Sequence, residues 1–278
     1  SAGCERWKIG CGKCPDLKLP PIIRRDLSSV NWKIKREIYR KSKFFIVVPS
    51  NWMKSQVEKS ILMEGGKDIK VIYNGIPLDI FIPEDKAKSR EILKLPQDKT
   101  IIMTAAKSLK TNVRKGYDIF FEFAKRISQK HKNILFLGVG GASGNKTEEE
   151  NIGDNKILFF PFEQNQEKLR YFYSASDFFV MPSRDENFPL VLLEAQASGT
   201  VPAGSKVGGI PEIIEDMETG ILFDLNDIHG LTQKVSKLIE DKKLYHTVRE
   251  KAIMNSKKFD IKEKTKEYVD LIFSVSER

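Results

Sequence analysis

Long apolar runs are missing from this chain of 278 residues. The longest are short stretches such as Phe44-Phe45-Ile46-Val47-Val48, far below the roughly 18 residues that a membrane-spanning helix needs. No apolar signal-peptide core stands near the N-terminus, so a cytoplasmic protein is expected, with peripheral contact at the inner membrane face as an alternative. Cysteine is scarce: Cys4, Cys11 and Cys14 all fall within the first fourteen positions. That clustering excludes a distributed disulfide framework. Cys11 and Cys14 have C-x2-C spacing and Cys4 could supply a third zinc ligand, but no fourth is evident, so reduced thiols are the preferred reading. The three histidines, His131, His229 and His246, fall on expected helix ends or loops and read as surface residues. Internal repeats and low-complexity tracts are lacking too.

What is present is globular: 40% hydrophobic and 31% charged residues, with room for two domains and a sizeable core. The formal charge of +9 fits an anionic partner such as nucleic acid, a phosphate-bearing small molecule or an acidic membrane surface. It fits equally a solvated basic surface.

From Ile101 onward, short apolar runs alternate with amphipathic segments. Strands are predicted at 101–105, 134–138, 157–160, 178–181, 201–203 and 221–223, and helices at 117–129, 167–175, 190–197, 211–215 and 231–240. Continuous apolar strands separated by helices specify a parallel sheet covered on both faces, a doubly wound α/β domain. Such sheets bind ligands beyond the C-terminal ends of their strands. Before Ile101 the pattern gives two helices (30–41, 52–64) and two strands (44–48, 69–72), too few strands for a sheet that stands alone. Residues 74–96, rich in proline and charge, read as an interdomain connection. A final helix is predicted at 261–274.

Four segments carry candidate chemistry. In Asp185-Glu186-Asn187-Phe188-Pro189-Leu190, a loop leads into an apolar helix that holds Glu194 and ends near Gly199. Free backbone N–H groups and the positive helix end there form an anion site suited to a diphosphate. Glu194, among Val191, Leu192, Leu193, Ala195 and Ala197, is costly to bury without donors. Ribose hydroxyls would satisfy it, and so would loop amides or a lysine. Arg114-Lys115-Gly116 opens an amphipathic helix, where Lys115 can reach a phosphate or be merely solvated. Gly138-Val139-Gly140-Gly141 follows a strand and allows close backbone approach, yet lacks the helix of a dinucleotide fingerprint. Gly208-Gly209-Ile210-Pro211-Glu212 serves a helix start or a turn equally well.

The order of these segments closely resembles glycosyltransferase family 4. The resemblance is carried by Ser176-Asp177-Phe178-Phe179-Val180-Met181-Pro182-Ser183, the E-x7-E spacing from Glu186 to Glu194, Val207-Gly208-Gly209-Ile210-Pro211-Glu212 and Thr219-Gly220-Ile221. Asn74-Gly75-Ile76, Pro49-Ser50-Asn51-Trp52 and Cys11-Gly12-Lys13-Cys14-Pro15 extend it over nearly the whole chain, the last pointing to polysaccharide-assembly branches. These are retaining, nucleotide-sugar-dependent enzymes of the GT-B fold, built from Rossmann-like doubly wound sheets. The resemblance implies that Glu194 binds the donor ribose, that Glu186 faces the transferred sugar, and that Lys115 neutralises the leaving diphosphate. Asn187, Phe188, Pro189 and Leu190 would line phosphate and sugar, chiefly through backbone. The family's upstream arginine has Lys107 and Arg114 as its nearest counterparts. Phe160 and Pro161 would hold the base, UDP- or GDP-linked, and Gly138 and Gly140 would let the donor approach. No cofactor and no metal are implied; Asp185-Glu186-Asn187 is not a metal-binding D-x-D motif.

On this resemblance the chain divides into 1–82, the trailing part of an N-terminal acceptor-side domain; 83–258, a complete nucleotide-sugar-binding domain; and 259–278, a helix returning to the first part. The family's glycine-rich loop and acceptor-side histidine have no counterpart, which implies N-terminal truncation. The expected function is retaining sugar transfer, of the hexosyltransferase type, to a polysaccharide or lipid-linked acceptor. The alternative is a nucleotide-sugar-binding module without turnover. Nucleic acid is disfavoured because the lysines are dispersed and no nucleic-acid motif occurs.

Overall fold

The computed structural model describes residues 3–17, 22 and 24–276, in two compact units, Ser1–Tyr73 and Asn74–Arg278.

In the first unit, a 3-10 turn at Arg6–Lys8 precedes α1 (Ser28–Lys41), β1 (Phe44–Val48), α2 (Asn51–Val57), a second 3-10 turn (Ile61–Glu64) and β2 (Gly66–Val71). The single helix expected over 52–64 is broken. Ser50 caps α2 by accepting from the Met53 N–H, and Ser60 starts a new turn by accepting from the Leu62 N–H. β1 and β2 pair in parallel, and Ile46, Val48 and Val57 form a small core. Cys4, Cys11 and Cys14 are half-buried here, and none of them forms a disulfide among the described residues. Among the described residues, no group of three or more His, Cys, Asp or Glu is arranged to hold a metal ion.

The second unit contains α3 (Lys86–Ile92), β3 (Thr100–Ala105), α4 (Tyr117–Lys130), β4 (Ile134–Val139), β5 (Glu148–Ile152), β6 (Asn155–Phe160), α5 (Gln166–Ala175), β7 (Phe178–Met181), α6 (Leu190–Ala197), β8 (Val201–Ser205), β9 (Ile221–Phe223), α7 (Ile228–Glu240), α8 (Lys242–Ser256) and α9 (Ile261–Ser276). Its seven-stranded sheet runs β5-β6-β4-β3-β7-β8-β9. Every pair is parallel except the antiparallel edge pair β5–β6. This is the expected α/β architecture. Apolar side chains of α4 (Phe120, Phe123, Ile127) and α7 (Leu231, Val235, Leu238) pack with Phe136, Phe178 and Val201 of the sheet. α6 belongs to a different layer, with Leu192, Leu193, Ala195 and Ala197 buried.

Three expectations are corrected. Residues 74–96 are not a free connection: α3 lies within them, capped by Asp85, and the Ile76 N–H donates to Phe259 O within the second unit. The compact units therefore divide at Tyr73/Asn74 rather than at 82/83. The helix expected over 211–215 is a single 3-10 turn, Ile210–Glu212. His131 is no surface residue: half-buried at the end of α4, its Nε2 lies 3.0 Å from Ser236 Oγ.

One buried network fastens α3 to the sheet. Asp177, just ahead of β7, accepts from Arg90 Nη2 at 3.0 Å, Lys86 Nζ at 2.6 Å and the Ile101 N–H at 2.8 Å. Burial pulls the Lys86 ammonium below its usual range, and Asp177 opposes that.

Candidate functional site

The chain leaves β3 toward β4 on one side, while β7 pairs with β3 on the other. That reversal opens a crevice at the C-terminal ends of the strands, the usual ligand position in open α/β sheets. A cavity of about 320 Å³ lies there. Thr104, Ala105, Ala106 and Lys107 line it from the end of β3, Val139 from β4, Met181 and Ser183 from β7, and Val191 and Glu194 from α6.

Two loops meet at its rim. Asn112 starts a 3-10 turn over Val113–Lys115, and Gly116 (φ 69°) turns the chain into α4. An added Cβ at Gly116 would run into the carbonyl of Pro182, whose carbon lies 2.9 Å away, so only glycine permits this approach. The second loop follows β7. Arg184 reaches across with both guanidinium arms on Asp118, at 2.9 and 2.5 Å, and a bond to Val113 O at 2.7 Å. Its own N–H donates to Arg114 O at 2.8 Å. Arg184 holds the Asp118 carboxyl below the usual carboxylate range. Fixed this way, Lys115 Nζ donates to Glu186 Oε1 at 2.7 Å. The Glu186 side chain is only 13% exposed.

Glu194 is half-buried in the middle of α6. Burial pushes its carboxyl above the usual range, while a hydrogen bond from the Tyr173 hydroxyl, 3.0 Å to Oε2, acts in the opposite direction. Ser183 is fully buried, and its Oγ is without a hydrogen-bond partner among the described residues. A buried hydroxyl without a partner, on a residue that lines a largely apolar cavity, is a natural place for a ligand oxygen.

Of the residues expected from the sequence, Lys107, Lys115 and Glu194 share the cavity, and Glu186 joins them through Lys115. Arg114 is exposed and contributes its carbonyl to the loop clasp. Pro189 caps α6, Leu190 begins it, and Asn187 O accepts from the Gly209 N–H. The Phe188 side chain is buried against Phe259, with ring centroids 5.6 Å apart. Gly138 and Gly140 make close approaches, but to the protein's own chain. A Cβ at Gly138 would meet the Phe159 ring at 2.7 Å, and one at Gly140 would meet the Ala106 carbonyl carbon at 3.0 Å. Phe160 packs edge-on to Phe172 at 4.9 Å. The residues lining the cavity beyond β6 are Phe162 and Glu163, not Phe160 and Pro161.

Sequence reading missed Tyr173, Ser183, Phe162, Glu163 and Arg184. The tyrosine, buried in an apolar stretch of α5, carries the pattern of an ordinary core residue. Ser183, the last residue of the Met181-Pro182-Ser183 motif, and Arg184, directly after it, stood at a signal that could have found them.

The family model described as Glycosyl transferases group 1 matches residues 85–254. N-acetyl-alpha-D-glucosaminyl L-malate synthase of Bacillus anthracis is 28% identical over 193 residues, covering 69% of this chain and 49% of that protein. The chain thus spans about half the length of this curated relative. Among solved structures, sucrose-phosphate synthase of Thermosynechococcus elongatus superposes with a TM-score of 0.73 at 22% identity, covering 91% of this chain and 64% of that one. Anabaena HepE in complex with UDP-glucose superposes with a TM-score of 0.68 at 18% identity, covering 89% and 68%. These likenesses establish the fold of the GT-B glycosyltransferases.

Proposed function

The chain belongs to the glycosyl transferases group 1 family, and from that premise we propose that it transfers a sugar from a UDP- or GDP-linked donor to a glycan or lipid-linked acceptor, with retention, as a family 4 enzyme. The observation that carries this reading is the Lys115–Glu186 pair at 2.7 Å beside a cavity that Lys115 shares with Glu194. Binding of UDP-glucose by a protein of the same fold, HepE, supports a nucleotide sugar as donor.

The proposed chemistry follows from charge. Cleaving the anomeric C–O bond gives oxocarbenium character to the sugar and leaves negative charge on the diphosphate. A cation fixed in advance stabilises that charge more in the transition state than in the ground state. Lys115 is that cation. In the free protein Glu186 holds its ammonium in place; with donor bound, Glu186 accepts from the sugar's hydroxyls while Lys115 turns to the phosphate. Glu194 accepts from the ribose hydroxyls. The departing phosphate takes the acceptor's proton on the same face, which accounts for retention. No step requires a metal or a cofactor. The reading extends to the surroundings of the enzyme: the first unit, Ser1–Tyr73, belongs to its acceptor side, and part of the +9 surplus faces an anionic membrane that carries the acceptor.

A thermal-shift panel of UDP, GDP and ADP with their sugars tests this. One nucleotide at a hundredfold excess over its Kd should stabilise by about 2.7 kcal/mol, or roughly 5–10 °C. Glu194→Ala should abolish the shift. No response to any nucleotide would sink the proposal. Release of free sugar from the stabilising donor then separates an enzyme from a binding module without turnover.

A further inference from the structure

We propose that Tyr173 is a positioning residue of the nucleotide pocket, whose hydroxyl pins one oxygen of Glu194 so that the other is presented to the ligand's vicinal hydroxyls. The inference rests on the reading of Glu194 as a nucleoside-binding residue. Its foundation is geometric. Tyr173 and Glu194, from α5 and α6, line the same cavity, and the tyrosine hydroxyl donates to Oε2 at 3.0 Å. Tyr173 is fully buried, with its ring edge-on to Phe179 at 5.5 Å and Phe81 at 6.2 Å. Its carbonyl accepts from Thr200 Oγ1 and from the Ser176 N–H. A ring held on two sides by aromatics and tied through its backbone has one orientation, and its hydroxyl aims one way. Phenylalanine would fill almost the same volume, so packing alone does not account for the hydroxyl.

The other charged groups around the cavity show why such a pin matters. Lys107 stands after β3, Lys115 ahead of α4 and Glu163 ahead of α5, all lining the same space. Behind α6, Arg249 of α8 is occupied with Gly199 O at 2.8 Å. A carboxylate free to rotate in this cavity would be drawn to a lysine, removing an acceptor and a cation from the ligand together. The hydroxyl also favours the ionised form: burial raises the Glu194 carboxyl and the tyrosine hydrogen bond lowers it. Ligand binding that needs the carboxylate is present above its pKa and fades as pH falls through it. Removing the hydroxyl raises that pKa, so binding fades at a higher pH.

Calorimetric titration of the full chain with UDP and GDP, from neutral pH downward, provides the test in wild type, Tyr173→Phe, Glu194→Gln and the double variant. Tyr173→Phe should weaken the nucleotide that binds by about tenfold and move the acid limb to higher pH. Glu194→Gln should weaken binding and remove the limb. Adding Tyr173→Phe to Glu194→Gln should change affinity less than about twofold, because the tyrosine acts through the carboxylate. An unmoved acid limb, or effects that simply add, overturns the role of Tyr173 while leaving Glu194 in place. Unchanged affinity and limb in Glu194→Gln overturns the reading of Glu194 and this inference with it. If Tyr173→Phe does not fold, difluorotyrosine at position 173, a stronger donor of the same shape, should move the limb to lower pH. An unmoved limb there refutes the role equally.

Discussion

Replacing Gly116 by alanine should damage stability and site together. At φ 69° an alanine pays about 1–2 kcal/mol for left-handed backbone. Its Cβ would also stand 2.9 Å from the Pro182 carbonyl carbon, where ordinary carbon contacts fall near 3.5–4.0 Å. The neighbour is backbone at the end of β7 and cannot swing aside, so the two loops must part by roughly 1 Å, a strain of about 1–3 kcal/mol on the scale of overpacked cores. The total is about 2–5 kcal/mol, which for a unit of this size lowers Tm by roughly 5–15 °C. Lys115 rides on the displaced loop. A misplacement of about 1 Å at a reacting group costs on the order of a hundredfold in turnover. Melting curves, nucleotide titration and sugar-transfer rates of Gly116→Ala check both halves. A melt within 2 °C of wild type, about the shift that 1 kcal/mol would give, with donor affinity and rate unchanged, would refute the reasoning that this contact sets the position of Lys115.

Asp177→Ala strips Arg90, which is only 4% exposed, of its carboxylate and the Ile101 N–H of its acceptor. Breaking a buried pair from one side costs about 3–5 kcal/mol, so chemical denaturation should show a loss of that order. Arg184→Ala should behave in the opposite manner. The Asp118 side chain is 66% exposed, so the ion pair adds at most about 1 kcal/mol to stability, yet sugar-transfer rate should fall several-fold as the clasp beside Lys115 loosens. A fall in Tm without a fall in rate would contradict that assignment. Ser183→Ala deletes a buried, unpaired hydroxyl and should leave Tm unchanged or higher while weakening donor binding by about three- to tenfold, read by titration with the nucleotide sugar.

Much of the second unit is written openly in its residues. Phe178–Met181 and Ile221–Phe223 are uninterrupted apolar runs and Leu190–Ala197 is broken only by Glu194 and Gln196; all three are bounded by turn residues, and their observed limits match those read from the pattern. β5 escaped because Glu148-Glu149-Glu150-Asn151-Ile152 is an exposed edge strand with no apolar period, held by its partner's backbone. α8 escaped because its buried positions, Tyr245, Val248, Ala252 and Ser256, mix one large ring with small and polar side chains. α3 was hidden by the prolines and charges around it, and is fixed by the distant Asp177. At the site, Lys115, Glu186 and Glu194 stood out as charges at helix starts or within an apolar helix. Tyr173 and Ser183 did not, because what distinguishes them is a partner, or the lack of one, across the fold.

The position of the cavity also bears on the order in which the protein acquires its binding ability. Lys115 and Glu186 are 71 residues apart, with β4, β5, β6 and β7 between them. The ladder joining their two halves of the sheet is short: β3 meets β7 at Ile102–Phe178 and Met103–Phe179, whereas β3 follows β4 from Thr100 to Ala105. A chain in which β7 has not yet docked can hold most of its sheet and still possess no site. Ligand seated in the crevice would then act as a staple across the sheet's narrowest seam, and its binding energy would be felt as resistance to opening along that line.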